Sequence, residues 1–288
     1  MRLILLTALT MLAFAANSIL NRMALEDGGT GPAAFALIRL VSGALCLWAI
    51  VLLRGGGLRP SWHPAGAASL ALYVLGFSFA YVSLPAGVGA LILFGGVQIT
   101  MFAGALVLQE VVPPRRWAGA ALAFAGLVWL LWPTGAAGAA AATAPDPLGA
   151  GLMAAAALGW GIYSLLGRGA TDPMRATAGN FVFAAPLGLL VFAVLPDTAS
   201  AQGIVLAVMS GAVTSGCGYA LWYLVMPQLG ASRAAVAQLS VPVIAALGGL
   251  ALLGEAISLR FGLASVLVLG GVMWASLPAR RQTPPLDD

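Results

Sequence analysis

Charge is what this sequence has least of: 8% of its residues are Asp, Glu, Lys or Arg, and lysine is absent. A soluble domain carries about 25% charged residues to cover its surface, so water is not the solvent around most of this chain. Histidine occurs once, at His63, and cysteine twice, at Cys46 and Cys217, both inside apolar stretches. That supply excludes a disulfide framework and a metal site. The carboxylates Glu26, Asp27, Asp146, Asp172, Asp197, Asp287 and Asp288 fall in predicted loops or the tail. Within the apolar stretches there is no nucleophile beside a base, no carboxylate pair and no His/Cys/Asp cluster. No catalytic residue, cofactor or metal is therefore expected. The formal net charge of +4 comes from arginines scattered singly between apolar runs, which excludes a nucleic-acid patch.

What the chain has instead is apolar length. Of its 288 residues 61% are hydrophobic, in continuous runs of about twenty. Backbone polar groups in lipid must be satisfied internally, so only helices or closed barrels can span. Continuous rather than alternating runs select helices. The predicted spans are 3–21, 32–53, 64–84, 86–109, 117–134, 147–167, 176–196, 203–226, 234–254 and 261–277. The expected fold is an all-α polytopic membrane protein of ten transmembrane helices. The first span, with Arg2 before it and Ala13-Phe14-Ala15 inside it, has the outline of a secretion signal. The repeat described below argues against cleavage, which would delete one helix of a matched pair.

Arginine placement sets the orientation. With a cytoplasmic N-terminus, Arg2, Arg54, Arg59, Arg115, Arg116, Arg168, Arg175, Arg233, Arg280 and Arg281 of the 13 basic residues fall inside. Only Arg22 and Arg260 fall outside, and Arg39 lies within a span. Both termini are therefore expected in the cytoplasm, with the chain in a bacterial inner membrane.

The second half of the chain echoes the first. Glu110, Arg115, Gly104, Gly126 and Trp129 recur 145 residues later as Glu255, Arg260, Gly249, Gly271 and Trp274. Ser18 and Arg22 recur 146 residues later as Ser164 and Arg168, with Phe14 opposite Trp160. Each half holds five spans, an odd number, so the second copy enters the membrane inverted. In such transporters the substrate site lies near the midplane between the halves. The expected layout is a first repeat over 1–134, an Ala/Gly-rich linker over 135–146, a second repeat over 147–279 and a tail over 280–288.

Each half closes a helix on Glu and follows it with a Gly-rich helix: Leu108-Gln109-Glu110 through Gly119 and Gly126, then Leu253-Gly254-Glu255 through Gly262 and Gly271. This pattern resembles the EamA-type domain, present twice, of the drug/metabolite transporter superfamily. Length and layout are most similar to the YddG-type amino-acid exporters. That kinship implies ten helices, a central cavity and outward movement of amino acids or related compounds by alternating access. Pro242 stands at the motif's proline position while Val97 stands at its mate, so a helix break there should be asymmetric.

The expected substrate-binding residues are neutral or aromatic. They are Asn17 on the first span; Tyr73, Phe77 and Tyr81 on one stripe of the third; and Phe94 and Gln98 on the fourth. In the second half they are Trp160 and Tyr163 on the sixth span, Tyr219 and Trp222 on the eighth, and Gln238 on the ninth. Arg39, about 10 Å inside the second span, either meets a substrate carboxylate or snorkels towards Glu26 and Asp27. Glu110 and Glu255 are expected to latch their helix ends to Arg115/Arg116 and Arg260, and the alternative makes them proton or substrate carriers. An aromatic cavity suits zwitterions and organic cations and disfavours multiply anionic substrates. A multidrug or organic-cation extruder of the same superfamily is thus the competing function. The small four-helix members embed a Glu in their first helix, where Phe14, Asn17 and Ser18 stand here. A membrane-embedded enzyme or a non-transporting subunit is the reading from another class. With no titratable Asp, Glu, His or Lys between the faces, transport is expected to be facilitated rather than proton-driven. The expected partners are a small-molecule substrate and the bilayer, with the chain a monomer.

Overall fold

The computed structural model describes residues 1–55, 60–61, 63–110, 112–132, 145–168 and 170–276, with nothing said of the side chains of 231 and 232. The linker up to 144, the tail and Trp62 lie outside them. Regular structure among the described residues is helical, and the only β pairing there is an isolated bridge from Thr30 to Ala199.

The helices are α1 (Arg2–Leu25), α2 (Pro32–Leu53), α3 (Pro64–Ala80), α4 (Ala86–Val107), α5 (Pro114–Leu131), α6 (Pro147–Gly167) and α7 (Pro173–Val194). They continue with α8 (Ala201–Val208), a π-helical segment (Met209–Cys217), α9 (Gly218–Leu229), α10 (Ala231–Gln238), α11 (Ser240–Leu253) and α12 (Leu259–Ser276). Eight helical stretches are long and apolar enough to cross a membrane, with α8 to α9 counting as one stretch, Ala201–Leu229, and α10 with α11 as another, Arg233–Leu253. The 17-residue α3 and α5, which carries Arg115 and Arg116 in its first turn, fall outside that set.

Proline opens α2, α3, α5, α6 and α7, where its missing N–H costs nothing. In α2, α6 and α7 a carboxylate meets orphan N–H groups of the first turn. Asp172 caps α7 locally, and Asp197 caps α2 from across the fold at 2.8 Å to the amides of both Ala33 and Ala34. Asp146 accepts from Gly149 N–H and the Ser83 hydroxyl, which hold its carboxyl below the usual range.

The surface differs from that of a soluble protein. Leu189, Leu190, Val266 and Trp274 are exposed, whereas Asn17, Asn21, Arg39, Ser78, Ser210 and Ser215 are buried. An apolar outside, with polar groups buried and hydrogen-bonded within a largely apolar core, is the distribution that lipid solvation requires. Helix faces meet through small residues. An added Cβ on Gly119 would strike the carbonyl of Gly271, and one on Gly271 would lie 2.6 Å from the carbonyl of Gly119. Gly270 takes no part in this contact: its Cβ would meet nothing within 4 Å. Among the pairs in contact are α3 with α6, α2 with α7, α5 with α12, α4 with α6 and α11, and α1 with the π segment and α11.

Two predicted spans are interrupted. The ninth divides into α10 and α11 at Leu239, while α4 at the mated position runs unbroken. Pro242 removes the hydrogen bond to Gln238 and crowds its carbonyl, so the helix breaks there and not at Val97. The eighth widens into the π segment over Met209–Cys217, which the sequence reading missed.

Candidate functional site

The π segment is where the buried polar side chains converge. Ser210, Thr214 and Ser215 sit four and five positions apart, a spacing that a widened helix turns to one side. Their hydroxyls all donate to Asn17 Oδ1 on α1, at 2.7 Å for Ser210 and Thr214 and 3.5 Å for Ser215. Asn21 Nδ2 reaches Ser210 Oγ, and Asn21 Oδ1 accepts from Ser78 on α3 at 3.0 Å. Gly211 lets this segment approach α2, since a Cβ there would strike the carbonyl of Arg39.

Arg39 is fully buried. Its Nε donates to Ser215 Oγ at 3.3 Å and its Nη2 to the Tyr73 hydroxyl at 3.0 Å. The guanidinium carbon lies 5.3 Å from the Tyr73 ring centre and 5.0 Å from that of Phe77. Its Nη1 has no hydrogen-bond partner, and no carboxylate among the described residues lies within 4 Å. Snorkelling towards Glu26 and Asp27 is therefore not what this side chain does: the hydroxyls of Ser215 and Tyr73 hold it inward.

Tyr73 and Phe77 also line a small central cavity with Phe14, Asn17, Ser18, Leu93, Phe94, Trp160 and Tyr219. Trp160 stacks on Tyr219 at 5.4 Å and 18°, and on Tyr163 at 5.3 Å and 21°. The cavity measures about 20 Å³, room for about one water molecule. Six of the twelve residues expected to bind substrate, Asn17, Tyr73, Phe77, Phe94, Trp160 and Tyr219, thus share one cavity. Arg39 stands behind its wall, Tyr163 behind Trp160, and Trp222 against Phe14 at 5.7 Å. Tyr81 packs edge-on against Phe77 and donates its hydroxyl proton to the Ala86 carbonyl. Gln98 lines a second, larger cavity of about 240 Å³ with Arg116, Arg168 and Ala235. Gln238 closes α10 and lines neither.

The helix-end carboxylates have partners other than those expected. Glu255 does not pair with Arg260. Its Oε1 binds Arg22 Nε at 3.1 Å and its Oε2 accepts from Ala86 N–H, the start of α4, at 2.8 Å. Arg22 also donates to the carbonyls of Tyr81 and Val82, at 3.1 and 2.9 Å. The expected pairing of Glu110 with Arg115 and Arg116 gives way to an ion pair with Arg168 at 3.0 Å. Arg260 donates to the carbonyls of Trp129 and Trp132, filling the unpaired acceptors at the end of α5. Ala86 and Glu110 lie at opposite ends of α4, whose 22 residues rise about 33 Å. The two carboxylates therefore serve opposite ends of the bundle.

The model of the EamA-like transporter family matches residues 1–132 and again 147–277. The chain belongs to the EamA-like transporter family. It is a multi-pass membrane protein of a family whose function is transport. An uncharacterized protein of Pseudomonas aeruginosa is 44% identical over 276 residues, covering 94% of this chain and 93% of that protein. An uncharacterized transporter of Archaeoglobus fulgidus is 25% identical over 253 residues, covering 84% and 87%. One solved crystal structure is similar in fold, with a TM-score of 0.65, 24% identity and coverage of 94% and 98%.

Proposed function

We propose that this chain is an inner-membrane exporter of amino acids or similar small zwitterions, working by alternating access. The observation that carries the substrate class is Arg39. Burying an ion costs several kcal/mol unless it is paired. Two hydrogen bonds and two aromatic faces offset only part of that. A substrate carboxylate supplies the missing charge. The Tyr73 hydroxyl accepts from Arg39 and keeps its own proton to donate towards the cavity. Trp160 and Tyr219 offer flat faces to an apolar side chain. An organic cation would meet Arg39 as a like charge, which argues against the extruder.

The architecture of this reading is ten spans in two inverted repeats, 1–134 and 147–279, with both termini cytoplasmic. Exchanging the halves maps the packing onto itself: α2 on α7, α5 on α12 and α4 on α11 are their own mates. The contact of α3 with α6 has its mate in that of α1 with the α8–α9 stretch. Reporter fusions after Gly31, Thr134, Asp197 and Ser258 should then lie outside, and those after Gly56, Pro114, Thr171 and Arg281 inside. Any reversed site would break the ten-span layout.

Counterflow in liposomes tests the function. Labelled amino acids should exchange without a pH gradient, and the amines that remain after removal of the carboxylate should not. Exchange of amines or quaternary ammonium ions alone would refute the substrate class. Uphill accumulation that disappears in Glu110→Gln or Glu255→Gln would refute facilitated transport.

A further inference from the structure

Besides the local contact of Arg22 with Glu26 at 3.8 Å, two ion pairs join an arginine of one half to a glutamate of the other. Arg22 and Arg168 are 146 residues apart, and Glu110 and Glu255 are 145 apart. The same device therefore occurs at both ends of the bundle, in different degrees of completion. The Arg22–Glu255 pair is mostly buried, at 18% and 14% side-chain exposure, and is tied into three backbone groups. The Arg168–Glu110 pair is open to solvent, at 44% and 41%.

Shifting the complete assembly by 145 residues names the groups that would finish the other one. Ala86 maps to Ala231, the first residue of α10. Tyr81 and Val82 map to Met226 and Pro227, in the last turn of α9. We infer that these assemblies are the outer and inner gates, and that the structure has the outer gate shut and the inner one ajar. Closing the inner gate places Glu110 on the Ala231 amide and Arg168 on the carbonyls of Met226 and Pro227. The inference rests on the alternating-access reading and is independent of which substrate is carried.

Two further observations agree with it. The 240 Å³ cavity lies at the Arg168 end and is lined by Arg116, Arg168, Ala235 and Ser276. The central cavity, whose lining includes Ser18 one helical turn from Arg22, holds only 20 Å³. The element that must move is also jointed at both of its ends. The eight residues of α10 run from Gly230, at φ 74°, to the break at Leu239. Its swing towards Glu110 need not carry α11 along.

The test uses the full chain with Cys46→Ser and Cys217→Ser and one reporter, either Ser18→Cys in the central cavity or Ala235→Cys in the inner one. A membrane-impermeant maleimide is applied from one side of sealed vesicles. Glu255→Gln should raise outside labelling of the Ser18→Cys reporter about tenfold and lower inside labelling of the Ala235→Cys reporter. Glu110→Gln should do the reverse. Glu255→Asp, which keeps a carboxylate for Arg22 and the Ala86 amide, should keep labelling nearer the parent than Glu255→Gln does, and this arm serves if the glutamine variant does not fold. Shifts of the same sign in both glutamine variants, or no shift in either, would overturn the gates. Reciprocal labelling in a protein that exchanges no amino acid would leave the gates standing and remove the substrate assignment.

Discussion

Arg39→Gln should weaken amino-acid binding about a hundredfold, as expected when one partner of a buried charged pair is removed. The glutamine keeps a hydrogen-bonding end near Ser215 and Tyr73 but carries no charge to meet a carboxylate. The decisive readout is a ratio. The parent should prefer an amino acid to its methyl ester, and the variant should bind the two nearly alike. Arg39→Lys should restore part of the preference, because an ammonium keeps the charge and loses the fork that spans Ser215 and Tyr73. If acid and ester weaken equally in Arg39→Gln, the guanidinium only holds the helices together and the carboxylate assignment fails.

The second large effect is structural and sits on adjacent residues. Gly271→Val should lower the melting temperature of the detergent-solubilised protein by about 6 °C or more, on the order of 3 kcal/mol. The side chain would press on the carbonyl of Gly119 and the amide of Ala123, backbone atoms that cannot rotate away. Gly119→Val should match it from the other helix. Gly270→Val, whose Cβ would meet nothing within 4 Å, should stay within about 2 °C. Equal losses at 270 and 271 would mean that α5 and α12 do not cross where the structure has them.

Half of the residues expected to bind substrate line the central cavity of the candidate site, because aromatics and amides are rare in an apolar helix. Tyr73, Phe77 and Trp160 stand near the middle of their spans and meet at one cavity. Gln98 and Gln238 are expected to bind substrate too and lie elsewhere, since a helix has several faces and the sequence does not say which turns inward. The Ser210, Thr214 and Ser215 hydroxyls were overlooked. Their convergence on Asn17 depends on a π turn that shifts the phase of the helix by one residue. The run of Ser, Thr and Gly over Met209–Cys217 was the available signal.

By itself the sequence determined the solvent, since 8% charge cannot clothe a protein in water, and it determined the helix starts that prolines mark. It also determined that Arg22 and Arg168, and Glu110 and Glu255, stand in register. Only the tertiary structure decided who pairs with whom. Glu110 has Arg115 five residues away and binds Arg168; Glu255 has Arg260 equally near and binds Arg22. Ion pairs follow distance in space, and that distance is set by which helix ends meet. In lipid no difference in hydrophobicity distinguishes one apolar helix face from another, so close contacts such as Gly119 on Gly271 choose the neighbours.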